Sequence, residues 1–441
     1  MRKKKFVSVF IALLLAAGGC SSASAEKPPE TLRTVKTAGI SAYIPESEAS
    51  EDSETAETFI TTVIPASEST SVSKITHHYD TTIPETLVGG PAKQTEETPA
   101  PSETAPLAET SPSTAPTEVS PNAAPAQTTK KTTERSREPS YGYEKLGESG
   151  ILVIRRADGH YLGLMPCWGT YSLCESWAES VNELKRRLLD VNIYHMIVPT
   201  SSEFYVPTGW DGFTASQKNK IDHAASFLEN VTDIDAYSAL EAHLDEEIYA
   251  RTDHHWLPLG GDYAAEAFTE AAGLDFPVLS RYEKVERGGY VGSLYGYAKD
   301  EHLKNDPEVF TLYLPPNNAA LKTTYYDTDF QSGYESALML SPDASGYYCS
   351  FLGSDDRIAK IETDVKNGRK LVIFKESYGN ALVPFLTSSF EEIYVCDIRY
   401  FSPNAAEFCE SVGATDVLTA VCTFTVAGSN GNYLKKILGD F

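Results

Sequence analysis

Basic residues are few in this sequence, closely spaced cysteine pairs are missing, and no apolar run is long enough to cross a membrane. Lys and Arg number 37 against 62 Asp and Glu, a formal net charge of -25. So acidic a chain repels phosphates, which argues against a nucleic-acid partner. The seven Cys include no C-x-x-C pair, which argues against a zinc knuckle. The most apolar stretch, Phe6 to Ala17, holds about twelve residues, where a spanning helix needs ~20. No second long apolar run follows, so the folded part is expected to be soluble. Large apolar side chains are also scarce from Ser21 to about Ser140, where Thr, Ser, Pro, Ala and Glu dominate. Such a segment cannot offset the entropy of ordering, and its repeated Pro favours extended conformations. Residues 20–140 therefore predict a disordered stalk, of a length suited to reaching through a cell wall. Within it, Phe59 to Pro65 is a less polar patch or a short docking strand, and His77-His78 reads as solvated.

Ahead of the stalk stand a cationic run, Met1-Arg2-Lys3-Lys4-Lys5, then the short apolar core, then small residues. This is the three-part layout of a secretory signal. Leu15-Ala16-Ala17-Gly18-Gly19-Cys20 resembles a bacterial lipoprotein box, with Ala17 where such boxes usually carry Leu. Residues 1–19 are thus expected to be a lipoprotein signal peptide. The thiol of Cys20 would take a diacylglycerol and hold the protein on the extracellular face of the cell membrane. Ala23-Ser24-Ala25 is an ordinary A-x-A cleavage site, and cutting there instead gives a secreted protein.

Residues 141–441 are rich in aromatic and aliphatic side chains, enough for one large domain. Ile151–Ile154, Asp158-Gly159 and Tyr161–Leu164 predict a β-hairpin. Helical spacing appears over Glu175–Asp190, with Trp177, Val181, Leu184 and Leu188 on one face. Further helices are expected over Thr214–Glu229, Asp235–Glu247 and Asp262–Ala272, and a buried strand over Ile193–Val198. Then come a strand at Lys370–Phe374, helical residues to about Leu386, a strand at Glu392–Cys396, a helix over Asn404–Val412 and a strand at Asp416–Val421. Strands alternating with helices predict an α/β fold with a mainly parallel sheet covered on both faces. Cys167 and Cys174 flank a short Trp168–Tyr171 loop and predict a disulfide, which export permits. Cys396, Cys409 and Cys422 lie in apolar runs and read as buried thiols.

Sites in such sheets lie at the carboxyl ends of strands, which singles out Lys375-Glu376-Ser377-Tyr378-Gly379-Asn380. A second cluster, Arg251-Thr252-Asp253-His254-His255-Trp256, precedes the Asp262 helix. A serine nucleophile needs a base, and the base needs an orienting carboxylate. In an extended loop residues two apart share a face, so Asp253 can hold His255 while His255 takes the proton of Ser377. The Ser377 N–H, near a helix N-terminus, is a candidate oxyanion donor. Asn380, Arg399, His254, Trp256 and Tyr378 are candidate oxyanion or substrate contacts. Each has a plainer reading: a Ser or Asn at such a turn caps the helix, Trp256 forms a packed wall, and Arg399 pairs with a buried acid. Asp253, His254 and His255 are also ligand types, but no further ligand cluster of similar density is visible.

Asp253-His254-His255-Trp256, the later Ser377 segment and Asp397-Ile398-Arg399-Tyr400-Phe401 together resemble the DHHW family of bacterial exported proteins. That family is similar to the SGNH-like acyltransferase domains of alginate O-acetylation proteins, in which an Asp-x-His-Trp segment precedes the nucleophilic Ser. The resemblance covers about residues 141–441. It implies an SGNH-hydrolase-like three-layer domain and catalytic roles for Asp253, His255 and Ser377. Related proteins often read Asp-Ser at the nucleophile, whereas here Glu376 precedes Ser377.

The expected activity is a serine-dependent O-acyltransferase or esterase acting on an envelope or extracellular glycan, without cofactor or metal. By analogy, a membrane-bound O-acyltransferase partner would deliver the acyl group. Two alternatives stand beside it. One is a non-catalytic glycan-binding or assembly lipoprotein that keeps the fold. The other is a metal-dependent hydrolase built on Asp253, His254 and His255.

Overall fold

The computed structural model describes residues 140–439, save 148, 340–346 and 354. The signal segment, Cys20, the Phe59–Pro65 patch, His77-His78 and nearly all of the stalk lie outside the described residues. Thirteen strands occur among them: β1 (Glu144–Leu146), β2 (Leu152–Arg155), β3 (Tyr161–Leu164), β4 (Asn192–Val198), β5 (Thr232–Ile234), β6 (Glu283–Tyr290), β7 (Glu308–Leu314), β8 (Lys322–Tyr326), β9 (Gly333–Ser336), β10 (Ile358–Glu362), β11 (Lys370–Lys375), β12 (Glu392–Asp397) and β13 (Asp416–Cys422).

Eight strands form the main sheet, in the order β5-β4-β13-β11-β12-β10-β8-β9. Those from β5 to β12 pair in parallel. β10, β8 and β9 extend the sheet antiparallel. β1–β3 make a small antiparallel sheet and β6–β7 a hairpin.

The central strands are buried at nearly every position and mostly apolar, because both faces are covered. Successive side chains point to opposite faces. Leu371 and Ile373 of β11 join one core with Ala264, Ala265 and Phe268 of the Pro258–Ala271 helix. Val372 and Phe374 join the other with Trp177, Val181 and Leu184 of the Tyr171–Arg187 helix and Phe408 of the Ala405–Val412 helix. Each fully buried side chain of this size contributes roughly 1.5–3 kcal/mol. The outcome is the three-layer α/β architecture expected from the strand–helix alternation.

Helix ends follow local chemistry. The first long helix spans Tyr171–Arg187, four residues ahead of the expected start, because the Thr170 side chain caps it by accepting from the Leu173 N–H. Asn404 caps the Ala405–Val412 helix, which ends at Gly413 with φ +67°, a left-handed cap that suits glycine. The expected Asp235–Glu247 helix stops at Glu241, and the Thr214–Glu229 helix shrinks to Gln217–Ala225, capped by Ser216.

The Cys167–Cys174 disulfide is corrected: both thiols are free and buried. What reads as a loop between them includes the cap and first turn of the helix. Cys174 donates its S–H to the Thr170 carbonyl at 3.4 Å, and the Cys167 S–H donates to the Trp168 carbonyl. Cys396, Cys409 and Cys422 are buried free thiols as expected. Among the described residues no helix is long and apolar enough to cross a membrane.

Candidate active site

β11 ends at Lys375, at the carboxyl edge of the parallel strands, and the chain turns immediately into a 3-10 helix over Ser377–Leu382. Glu376, not Ser377, caps this turn: its Oε2 accepts from the Tyr378 N–H at 3.1 Å, and its Oε1 accepts from the Cys422 N–H at 2.8 Å. A side chain one methylene longer than Asp therefore reaches both the turn and β13. Ser377 is relieved of capping, and its hydroxyl lies 2.8 Å from His255 Nε2 and 3.3 Å from Glu376 Oε2.

The Arg251–Trp256 loop is held by the β6–β7 region. Glu308 accepts from the N–H groups of Arg251 and Thr252 and from the Thr252 hydroxyl, and Arg251 reaches Asp306 at 2.7 Å. The loop places Asp253 against His255. His255 Nδ1 lies 2.6 Å from Asp253 Oδ1, and His255 Nε2 lies 2.8 Å from Ser377 Oγ. A carboxylate only accepts, so Nδ1 carries the proton and Nε2 is free to accept from Ser377. The second carboxylate oxygen accepts from the Ser293 N–H at 2.7 Å. Burial pushes the Asp253 carboxyl up, but His254, His255 and the Ser293 N–H outweigh it and hold the group well below the usual carboxylate range.

Trp256 and Tyr378 stitch the two segments together. Trp256 Nε1 donates to the Tyr378 carbonyl at 2.8 Å, and Tyr378 Oη donates to the His254 carbonyl. Both are buried packing residues and neither lines the cavity beside the triad. Arg399 pairs with buried acids: it donates to Asp397 at 2.7 and 2.8 Å and to Asp355 at 2.9 Å. Lys375 joins the same cluster through Asp355 and Asp397. Burial disfavours the Asp355 carboxylate, but Lys375 and Arg399 prevail and keep it ionised. Asn380 does not cap the turn: its Nδ2 donates to Asp355 Oδ1 at 2.8 Å, and its Oδ1 is buried without a hydrogen-bond partner.

A cavity of about 240 Å³ opens beside the triad, lined by Asp253, His254, His255, Ser377 and Asn380 together with residues that sequence reading missed. These include Tyr290, Ser293, Tyr347, Tyr348 and Asp355, which come from segments without a recognisable pattern. His254 shares a 2.6 Å hydrogen bond with Ser293 Oγ. Burial, and then the adjacent His255, pull its pKa down to about 3, so it is neutral at physiological pH.

Asp253, His254 and His255 bring three potential ligand atoms within 4.8 Å of one another. Their inward nitrogens are already engaged, His255 at both positions and His254 at Nδ1. A cation held there would have to displace the hydrogen bonds that align the serine.

Residues 161–396 match the family model described as DHHW protein. The chain is similar to a DHHW family protein from Eubacterium siraeum, with 44% identity, coverage of 66% of this chain and 98% of that one, and a TM-score of 0.63. It is similar in fold to Bacillus cereus PatB1, solved with a sulfonyl adduct, at 16% identity over 64% of this chain and 98% of that one, TM-score 0.54. A further match is the O-acetyltransferase domain of Pseudomonas putida AlgJ, at 14% identity over 68% of this chain and 99% of that one, TM-score 0.35. No curated protein matches the chain. The mainly parallel α/β domain is thus an SGNH-like fold, shared with PatB1.

Proposed function

The chain belongs to the DHHW family, and we propose that it is a serine-dependent O-acyltransferase or esterase acting on an envelope or extracellular glycan. The observation that carries this reading is the unbroken hydrogen-bonded line from Asp253 through His255 to Ser377.

In the proposed cycle Ser377 Oγ attacks the acyl carbonyl carbon while His255 Nε2 takes its proton. Asp253 stabilises the resulting imidazolium. The Ser377 N–H serves as an oxyanion donor, since the Tyr378 and Gly379 N–H groups are committed to Glu376. Collapse of the tetrahedral intermediate expels the leaving group, which takes the proton back from His255. A sugar hydroxyl, or water in the esterase case, then attacks the acyl-serine with His255 again as base. The product leaves with the acyl group and Ser377 regains its proton.

A fluorophosphonate probe tests the nucleophile. Stoichiometric labelling that disappears in Ser377→Ala supports the proposal. No labelling of the folded wild-type chain, or equal labelling of Ser377→Ala, overturns it in favour of a binding module.

The N-terminal signals extend the proposal. Lipidation of Cys20 would tether the domain to the outer face of the membrane, near a membrane-bound O-acyltransferase partner that supplies acyl groups. Mass spectrometry of the mature N-terminus decides the anchor: a diacylglyceryl-Cys20 supports it, and an unmodified start at Glu26 replaces it with secretion.

A further inference from the structure

His255 and Ser377 come from segments 122 residues apart. Asp253 holds the imidazole by one edge only, and a ring gripped at one edge still rocks about that bond. Its flat face needs a second contact if Nε2 is to stay aimed at Ser377.

Tyr348 supplies that contact. Its ring lies parallel to His255, with centroids 3.9 Å apart and planes 9° from parallel. The same side chain donates through Oη to the Ser377 carbonyl at 2.8 Å and to the Tyr378 carbonyl at 3.1 Å. One buried residue from a third segment therefore touches both the ring of the proposed base and the backbone of the proposed nucleophile. It grips Ser377 from the carbonyl side and leaves Oγ to its shorter contact with His255 at 2.8 Å, beside a longer one to Glu376 Oε2 at 3.3 Å. Burial raises the phenol well above its ordinary pKa, so Oη remains a donor.

The surroundings hold Tyr348 in place. Tyr347, just before it, adopts φ +38°, a left-handed backbone that costs energy for a residue with a side chain and persists only when its neighbours enforce it. Its ring stacks on Tyr290, and its Oη donates to the Gly288 carbonyl. On the other side Phe351 packs edge-on against Tyr348, and its backbone bridges to Met339.

We propose that Tyr348 is a positioning residue that keeps His255 and Ser377 in register. The kinetic part of this proposal rests on the acyl-transfer reading of the site; the structural part does not. Two variants of the full chain test it, with three readouts: the thermal midpoint, the downfield NMR resonance of His255 Nδ1–H, and the rate of fluorophosphonate labelling. Tyr348→Phe keeps the stacked ring and loses the donor. It is expected to retain the resonance and label about 3- to 10-fold more slowly, the scale of one lost hydrogen bond. Tyr348→Leu loses both contacts. It is expected to broaden or lose the resonance and to label about 100-fold more slowly.

Tyr348→Leu with a wild-type resonance and labelling within twofold of wild type overturns the proposal. If that variant does not fold, Tyr348→Phe decides, and labelling within twofold overturns it. Should Ser377→Ala label like wild type, the acyl-transfer reading fails by itself. The resonance then remains the test of the clamp.

Discussion

A Cβ placed on Gly292 would stand 2.3 Å from the Cβ of Asp253 and 2.5 Å from its Oδ2. The backbone must come this close because the next N–H, that of Ser293, donates to the same Oδ2. Gly292→Ala is therefore expected to push Asp253 off His255. Misplacement of about 1 Å costs roughly 100-fold in rate, so labelling of Ser377 should fall by that order. Gly296→Ala, whose new methyl meets nothing within 4 Å, should label as wild type and serves as the control.

Asp253→Asn keeps the shape of the side chain but removes the obligate acceptor. The amide can then turn its N–H₂ to His255 Nδ1, which leaves the proton on Nε2, where Ser377 needs an acceptor. Labelling is expected to drop by about 10⁴-fold, the scale of this change in Ser-His-Asp enzymes, with little change in thermal midpoint.

Asp262 is buried on the Pro258–Ala271 helix, with Oδ1 unpartnered. Burial, with Glu266 nearby, raises its carboxyl to about 7. In the unfolded chain the group ionises near 4. Its contribution to stability is thus full below pH ~4 and is lost progressively as the pH rises through about 7. Urea denaturation should show wild type falling relative to Asp262→Asn over this window, by on the order of 2–4 kcal/mol. Parallel curves for the two proteins would contradict the assignment.

Arg399 is predicted to serve stability rather than substrate binding. Its guanidinium, with Lys375, neutralises Asp355 and Asp397 in a buried cluster. Arg399→Met leaves a buried carboxylate short of a partner and should cost about 3–5 kcal/mol, measured by denaturant unfolding. A KM effect without loss of stability would restore the substrate role.

The central strands were legible in the sequence because burial on both faces leaves a short, mostly apolar run, as within Lys370–Lys375 and Asp416–Cys422. The antiparallel half of the sheet was not. β8 reads Lys-Thr-Thr-Tyr-Tyr and β9, the edge strand beside it, Gly-Tyr-Glu-Ser, and their exposed or half-exposed positions dilute the pattern. The cavity walls went unseen with them, since Ser293, Tyr348 and Asp355 belong to the same unread stretch.

Two histidines mark the boundary between what is local and what is not. His195 and His255 each lie beside an Asp at Nδ1, at 2.7 Å from Asp233 and 2.6 Å from Asp253. At Nε2 the first accepts from the Trp177 indole N–H at 3.0 Å, and the second meets the Ser377 hydroxyl at 2.8 Å. An indole N–H only donates and keeps its proton, so His195 is a satisfied core residue, whereas a hydroxyl can surrender its proton to the ring.

By itself the sequence determined what depends on near neighbours: the apolar strands, the two-residue spacing of Asp253 and His255, and a serine at the end of a strand. Only the tertiary structure decided the partners: Ser377 for His255, Asp355 for Arg399, separate burial for Cys167 and Cys174, and Tyr348 over the imidazole. The reason is that a hydrogen bond or a stacked ring depends on distance in space. Segments well separated along the chain, such as those of His255 and Ser377, acquire that distance only when the sheet is assembled and both its faces are packed.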